Sequence, residues 1–348
     1  MSGTERKRLV AVVATHDRLG QLRQTLERLL AAAPRDLAGI VVVDNASTDG
    51  TAAYLAGLED PRLIVHRSEA NLGGAGGMET GMRLAVARLD PDWIVLMDDD
   101  GRPEPGALAA FHDLPRDPDA AYAAAVYYPD GRICEMNRPS VNPFWRPRVF
   151  AGTLLRMVGG GTRDGYHIPR AAYDAPAPRP IDMTSFVGLF LPRRAVEAAG
   201  YPEGRLFLYG DDVIYTLGLR RAGIAIAFDP RIRFEHDCST FADDRRRVFN
   251  PLWKVYYTYR NGLMMYRSAA GPLFWPMLLM LVPKWWLAAR RYGPDRPLYL
   301  RLMRRALADA LTGRPLPAHA EVRAMAGPAP APAQLAPGQG RDRPVNSR

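Results

Sequence analysis

Four short runs of almost uninterrupted apolar residues recur along the first third of the chain: LVAVVAT (9–15), GIVVVD (39–44), RLIVH (62–66) and WIVLM (93–97). Each reads as a buried strand. Between them, LGQLRQTLERLLAAA (19–33) repeats apolar residues near i, i+3, i+4 and i+7, which predicts an amphipathic helix, and GGMETGMRLAVARL (76–89) predicts another. A third helix is expected over TAAYLAGL (51–58), with Ser47 and Thr48 as its N-cap candidates. Short, wholly apolar strands spaced by helices predict a parallel sheet covered on both faces, so the fold class is α/β.

Beyond this repeat, residues 129–180 are rich in Pro, Gly and Arg and read as a long excursion over one face. Order returns with the strand SFVGLFL (185–191), a short helix ending at Gly200, a helix from Asp211 to about Gly223, and the strand-like IAIAF and RIRFE. From about Asn250 the pattern is helical and basic, and the last residues are rich in Pro, Ala and Gly. The organisation expected is a catalytic region over 1–245, divided into a nucleotide-binding half (8–128) and an acceptor-binding half (129–245). A helical, basic and aromatic region over 246–315 and a disordered tail over 316–348 follow.

Charge sharpens the division. The whole chain of 348 residues carries +9, yet residues 1–244 sum to −5, while Arg245–Arg314 sums to +12 and holds four of the six tryptophans. A basic stretch with interleaved tryptophan fits nucleic acid or an anionic membrane surface, and the run PLFWPMLLMLVPKWWLAA (272–289) decides for the membrane against nucleic acid. Pro276, Pro283 and Lys284 interrupt that run, which predicts an interfacial helix and not a crossing one. The competing expectation is a buried helix or a homo-oligomer interface. The two cysteines, Cys134 and Cys238, cannot build a disulfide framework or a four-thiolate zinc site, and the N-terminus runs into a strand with no signal-like apolar region. A cytoplasmic protein, peripheral on the inner face of the membrane, is expected.

Candidate chemistry clusters where open α/β sheets bind ligands, at the carboxyl ends of the strands. His16-Asp17-Arg18, Asp44-Asn45, Asn71-Leu72-Gly73-Gly74 and Asp98-Asp99-Asp100 each follow a strand. Three adjacent carboxylates repel unless a cation or donors compensate; Asp98 and Asp100, alternate members of an extended triplet, can share one divalent metal. The glycine-rich connection Asn71–Gly77 suits phosphate at a helix N-terminus, but it is not a dinucleotide fingerprint (Glu79 stands at the last glycine) nor a P-loop (Met82 replaces the lysine). Asp44 can accept from a base imide or a ribose hydroxyl. Asp211 and Asp212 open a helix, whose dipole should keep a carboxylate there ionised and able to take a proton. His236 added to two carboxylates would complete a mixed site suited to Mn²⁺.

In this order, Ala14–Arg18, Val43–Thr51, Asn71–Gly77, Asp98–Asp100, Tyr209–Asp212 and His236 resemble the inverting glycosyltransferase family 2, of GT-A fold, over about residues 8–240. The NLGGAGG run and the DDD triplet are most similar to its galactofuranosyltransferase branch, with rhamnosyltransferases next. The resemblance implies a nucleotide-sugar donor, UDP-galactofuranose by first choice and dTDP-rhamnose as the alternative, a lipid-linked or oligosaccharide acceptor, and Mn²⁺ or Mg²⁺. Asp44 would bind the base with Thr15 and Arg18 nearby; Asn71, Gly73 and Gly74 would lie against the nucleotide; Asp98, Asp100 and His236 would hold the metal; and Asp99 would face the donor sugar. Asp212 would be the general base and Asp211 would orient the acceptor. His16-Asp17 stands where the family usually has an aromatic residue and Asn. Members that act processively carry Gln-x-x-Arg-Trp, which this chain lacks, so a non-processive transfer is implied. A non-catalytic nucleotide-sugar-binding subunit is the alternative of another class.

Overall fold

A computed structural model describes residues 6–158, 165–238 and 248–327. The elements run β1 (Leu9–Thr15), α1 (Leu19–Leu30), β2 (Gly39–Asp44), α2 (Thr51–Ala56), β3 (Leu63–Arg67), α3 (Gly73–Leu89), β4 (Trp93–Asp98), β5 (Gly101–Pro103), α4 (Ala107–His112), β6 (Ala120–Tyr127) and α5 (Pro147–Val158). They continue through β7 (Arg179–Ile181), β8 (Leu189–Pro192), α6 (Arg193–Ala199), α7 (Asp211–Arg221) and β9 (Ala225–His236) to the helices α8 (Lys254–Ala270), α9 (Phe274–Ala288), α10 (Arg296–Thr312) and α11 (His319–Ala326).

All nine strands belong to one sheet, in the order β3-β2-β1-β4-β8-β6-β9-β5, with β7 also on β9. The first four are parallel, as their apolar runs predict; β8 enters antiparallel between β4 and β6, and β6 pairs β9 in parallel. Alternate residues of β1, β2 and β4 feed two cores. Val10, Val12, Val41, Val43, Ile94 and Leu96 meet Met78, Met82 and Ala85 of α3 on one face, and their neighbours meet Leu22, Leu26 and Leu29 of α1 and Phe111 of α4 on the other. Gly81 lets α3 come down on β1, since a β-carbon there would collide with Val12.

The structure departs from the pattern-based expectations in four places. Ser47 and Thr48 do not cap α2: Gly50, at φ +90°, is its N-cap, and Asp49 Oδ1 accepts from Thr51 N–H at 3.2 Å. Asn71–Gly77 is not a loop throughout, because α3 begins at Gly73. The SFVGLFL strand shrinks to Leu189–Pro192, since Gly188 turns to φ +71°. The tail expected from 316 contains α11, whose buried Val322 and stacked His319 anchor it; residues 328–348 lie outside the described residues. Among the described residues, the excursion 129–180 holds the α-helix α5, short 3₁₀ turns and the start of the edge strand β7.

A third core is built from α8, α10 and α11, with Tyr256, Tyr257, Tyr299, Leu302, Met303 and Val322 among its buried members. Phe207, just ahead of α7 and remote from these helices in the chain, is also buried in it.

Candidate active site

The sheet's parallel half ends in carboxylates. β4 pairs in register with β1, Ala14 opposite Asp98, so the triplet emerges beside Thr15. Thr15 Oγ1 donates to Asp99 Oδ2 at 2.7 Å, and Arg18 Nη1 donates to Asp100 Oδ2 at 2.7 Å and Asp99 Oδ1 at 3.3 Å. Thr15 and Arg18 are thus brought to the triplet. From the other side β5 pairs antiparallel with β9, Gly101 opposite His236, and this register sets His236 Nε2 3.1 Å from Asp100 Oδ1. The triplet and the histidine, 136 residues apart in sequence, form one cluster.

Electrostatics divides the three acids. Burial, reinforced by Asp100, raises Asp98 to about 7. Burial raises Asp99 to about 6, although Arg18 opposes it. Burial also pushes Asp100 up, but the hydrogen bond and charge of His236, with Arg18, outweigh it and hold Asp100 below the usual carboxylate range. His236 is correspondingly lifted to about 10: burial disfavours its charge, and Asp100 more than compensates.

Behind the imidazole lies a group that the sequence reading missed. Asn137 Oδ1 accepts from His236 Nδ1 at 2.6 Å and from the Cys134 thiol at 2.9 Å, while Asn137 Nδ2 donates to Ser185 Oγ at 2.8 Å. Cys238 Sγ is 3.3 Å from His236 Nδ1 and 3.9 Å from Cys134 Sγ. Among the described residues, Cys134, His236 and Cys238 bring their ligand atoms within 4.8 Å of one another. The spacing Glu235-His236-Asp237-Cys238 was the only signal; Cys134, on a connection 104 residues earlier, carried none.

The acid pair opens α7. Asp211 is buried, and Asp212 is half-buried with Oδ1 accepting from Val213 N–H at 2.7 Å. The helix dipole does not prevail at Asp211, contrary to the expectation. Burial pushes it well above the carboxylate range, and the charges of Asp212 and Asp98 add to the push. Burial raises Asp212 to about 6. Since Asp98 acts on Asp211, the two acidic clusters share one electrostatic environment across the end of the sheet.

A group of buried polar side chains lies on the β2 side. Asp44 is 0% exposed; its Oδ1 accepts from Ser47 N–H at 2.8 Å, and its Oδ2 lies 3.4 Å from Arg67 Nη1 without a hydrogen bond. Asn45 Oδ1 and Ser68 Oγ are likewise buried without a partner, and Ser68 N–H donates to the Asp44 carbonyl at 2.9 Å. Three adjoining buried polar atoms in this state are costly unless a ligand completes them. Ser68, directly after β3, was missed, although the carboxyl-end rule points to it.

The start of α3 bridges these parts. Asn71 Oδ1 accepts from Gly73 N–H at 2.8 Å, Asn45 Nδ2 donates to the Gly73 carbonyl at 3.0 Å, and Ala75 N–H donates to the Phe207 carbonyl at 3.2 Å. Gly73, at φ +71°, leaves no room for a side chain, since a β-carbon would overlap the Phe207 backbone; Gly74 faces open space. Lys254, at the start of α8, lies near enough to Arg18 for their repulsion, with burial, to lower it.

Residues 10–171 match the Glycosyl transferase family 2 model. The chain is 28% identical over 303 residues to the galactofuranosyltransferase GlfT1 of Mycolicibacterium smegmatis, covering 86% of this chain and 91% of that protein. It is 27% identical to GlfT1 of Mycobacterium tuberculosis, covering 81% and 86%. Among solved structures, the mannosyltransferase PcManGT from Pyrobaculum calidifontis, in complex with GDP-Man and Mn²⁺, aligns at a TM-score of 0.49 and 20% identity, over 92% of this chain and 80% of that one. The family match falls on the half that carries the triplet, and the likeness to galactofuranosyltransferases runs on through the acid pair and the helices, so the chain is similar to glycosyltransferases of family 2 over most of its length.

Proposed function

We propose that the chain is an inverting, metal-dependent, non-processive galactofuranosyltransferase that takes its sugar from UDP-galactofuranose and gives it to a lipid-linked or glycan acceptor. One observation carries the reading: a carboxylate and imidazole cluster and a separate acid pair converge, from remote parts of the chain, on the end of one sheet.

Asp44 Oδ2, Asn45 Oδ1 and Ser68 Oγ offer acceptors for a base imide and ribose hydroxyls, and Gly74 lies open toward the same side. Arg18 and Lys254 supply positive charge toward a diphosphate. Asp98, Asp100 and His236 would hold a divalent ion, which when bound acts as a Lewis acid toward the departing diphosphate. Two carboxylates with an imidazole suit Mn²⁺ better than Mg²⁺, and both better than Ca²⁺. Burial raises Asp98 to about 7 and Asp99 to about 6, and a cation held there would favour their ionised forms.

Asp212 takes the proton of the acceptor hydroxyl. That oxygen bonds to the anomeric carbon as the carbon–oxygen bond to the nucleoside diphosphate breaks on the opposite face, and the configuration inverts. A pKa of about 6 leaves Asp212 ionised at neutral pH and still basic enough to share the proton. Asp211, pushed well above the usual carboxylate range by burial, is placed beside it to orient the acceptor.

The helical region would bring the enzyme to its acceptor. α9 exposes Trp275, Leu279, Met280, Trp286 and Leu287. The helical run Lys254–Thr312 that contains it is long and apolar enough to cross a membrane, and Pro283 with Lys284 inside α9 favours lying in the interface over crossing. With Lys284, Arg290 and Arg291 beside it, it suits the anionic inner face of a membrane.

The test is a release assay over UDP-galactofuranose, dTDP-rhamnose, UDP-glucose and UDP-galactose, with Mn²⁺ and with EDTA. UDP release from UDP-galactofuranose, abolished by EDTA, is expected. Preference for dTDP-rhamnose moves the assignment to the rhamnosyl branch, and binding without turnover on any donor, with acceptors supplied, identifies a non-catalytic subunit.

A further inference from the structure

The segment that delivers the acid pair is backbone under strain. After a single 3₁₀ turn at Gly204–Leu206, Phe207 and Tyr209 both stand at φ +68°, a region that side chains avoid, and Gly210 follows at +76°. Such a conformation persists only where its surroundings over-determine it.

Two adjacent residues of α8 do so. Asn261 Nδ2 reaches the carbonyls of Leu206 at 3.0 Å, Leu208 at 2.7 Å and Tyr209 at 2.9 Å. Arg260 Nη2 donates to Leu206 O at 2.9 Å and Arg205 O at 3.3 Å, and Arg260 Nε donates to Asn261 Oδ1 at 2.7 Å, fixing the amide. Both side chains are 0% exposed. The guanidinium is buried over the rings of Tyr256 and Tyr257, and its Nη1 finds no hydrogen-bond acceptor. A cation so buried is a poor way merely to hold two helices together, where apolar packing serves better. Its hydrogen bonds go instead to the carbonyls of the strained segment.

We propose that Arg260 and Asn261 are positioning residues for sugar transfer: by clamping the backbone of residues 205–209 they set the angle at which α7 presents Asp211 and Asp212. The helical region is on this account part of the transfer machinery and not only a means of attachment. The proposal rests on the glycosyl-transfer reading above.

The test uses the full chain with Asn261→Ala, the isosteric Asn261→Asp, which removes the donor while keeping the shape, and Arg260→Lys. Leu302→Ala, a cavity on α10 in the same helical core at a residue that makes no hydrogen bond to the segment, is the control for lost stability. For both Asn261 variants, kcat should fall about 10–100-fold, the scale expected when a reacting group is misplaced by around 1 Å, with UDP–Mn²⁺ affinity within about threefold of the parent. Amide hydrogen exchange over 205–212 should accelerate at least about tenfold while β1–β4 stay protected, and Arg260→Lys should fall between. The proposal is overturned if Asn261→Asp keeps kcat within about threefold, or if Leu302→Ala at a matched Tm loses as much. If the parent turns over no nucleotide sugar, the glycosyl-transfer reading fails, and unchanged exchange over 205–212 in the Asn261 variants separately refutes the clamp.

Discussion

The two acidic clusters reach the same place by opposite means. The triplet stands at the end of β4, where strand register with β1 and, through β5, with β9 leaves it little freedom, and Thr15, Arg18 and His236 bind its side chains directly. The acid pair hangs from a segment with three left-handed residues, and its support comes through main-chain carbonyls from a helix that follows it in the chain. Sheet register can fix a group whose position never needs to change. A group that must meet varied acceptors is more easily adjusted when it is carried on a loop held from outside.

The contrast can be broken at either end. The largest effect belongs to Asp212→Asn: transfer should fall by about 10²–10⁴-fold in a radiolabelled-sugar assay, with UDP–Mn²⁺ binding within about twofold, because the change removes a base and leaves the triplet intact. Full activity in this variant would exclude Asp212 as the base. His236→Ala should do the reverse. Mn²⁺-dependent UDP binding measured by calorimetry should weaken about 10–100-fold, and excess Mn²⁺ should recover part of the rate.

A smaller effect concerns protons. With Asp212 at about 6 and required in its ionised form, kcat under saturating Mn²⁺ should rise tenfold per pH unit below about pH 6 and level off above about pH 7. The metal-free stability runs the other way. Asp98 and Asp99 have folded pKa values above their unfolded ones, so the folded state binds more protons, and stability is lost as pH rises from about 4 through about 7. Asp98→Asn should therefore raise the metal-free Tm at pH 8 by about 2–4 °C while it weakens metal-dependent binding, measurable by scanning calorimetry. The smallest effect is expected of Trp286→Ala: binding to anionic vesicles in a flotation assay should drop about tenfold, with unchanged rates on a soluble acceptor.

Much of this was legible because the parallel half states itself locally. The four apolar runs mark strands buried on both faces, and the carboxyl-end rule singled out Asp44, the triplet and the start of α3. What stayed hidden depends on partners distant in sequence. The glycines of Asn71–Gly77 read as a loop because their use is close packing against residues distant in sequence, Gly73 against Phe207 some 130 positions on and Gly77 against Ala14 and Asn45. Arg260 and Asn261 sit in a basic, aromatic helix where charge patterning suggests a surface, and only the fold shows both fully buried. The ionisation of Asp211 was misjudged because a helix dipole can be read from position, whereas burial cannot.

Phe207 has a practical consequence. Its ring stacks on His319 at 3.9 Å between centroids and on Tyr257 at 5.0 Å, while its carbonyl receives Ala75 at the head of α3. One side chain is therefore seated in the helices, and its backbone against the head of α3. Anyone exchanging the helical region for a foreign one must transplant the socket for that ring as well, or the exchange will disturb the start of α3 that it was meant to leave untouched.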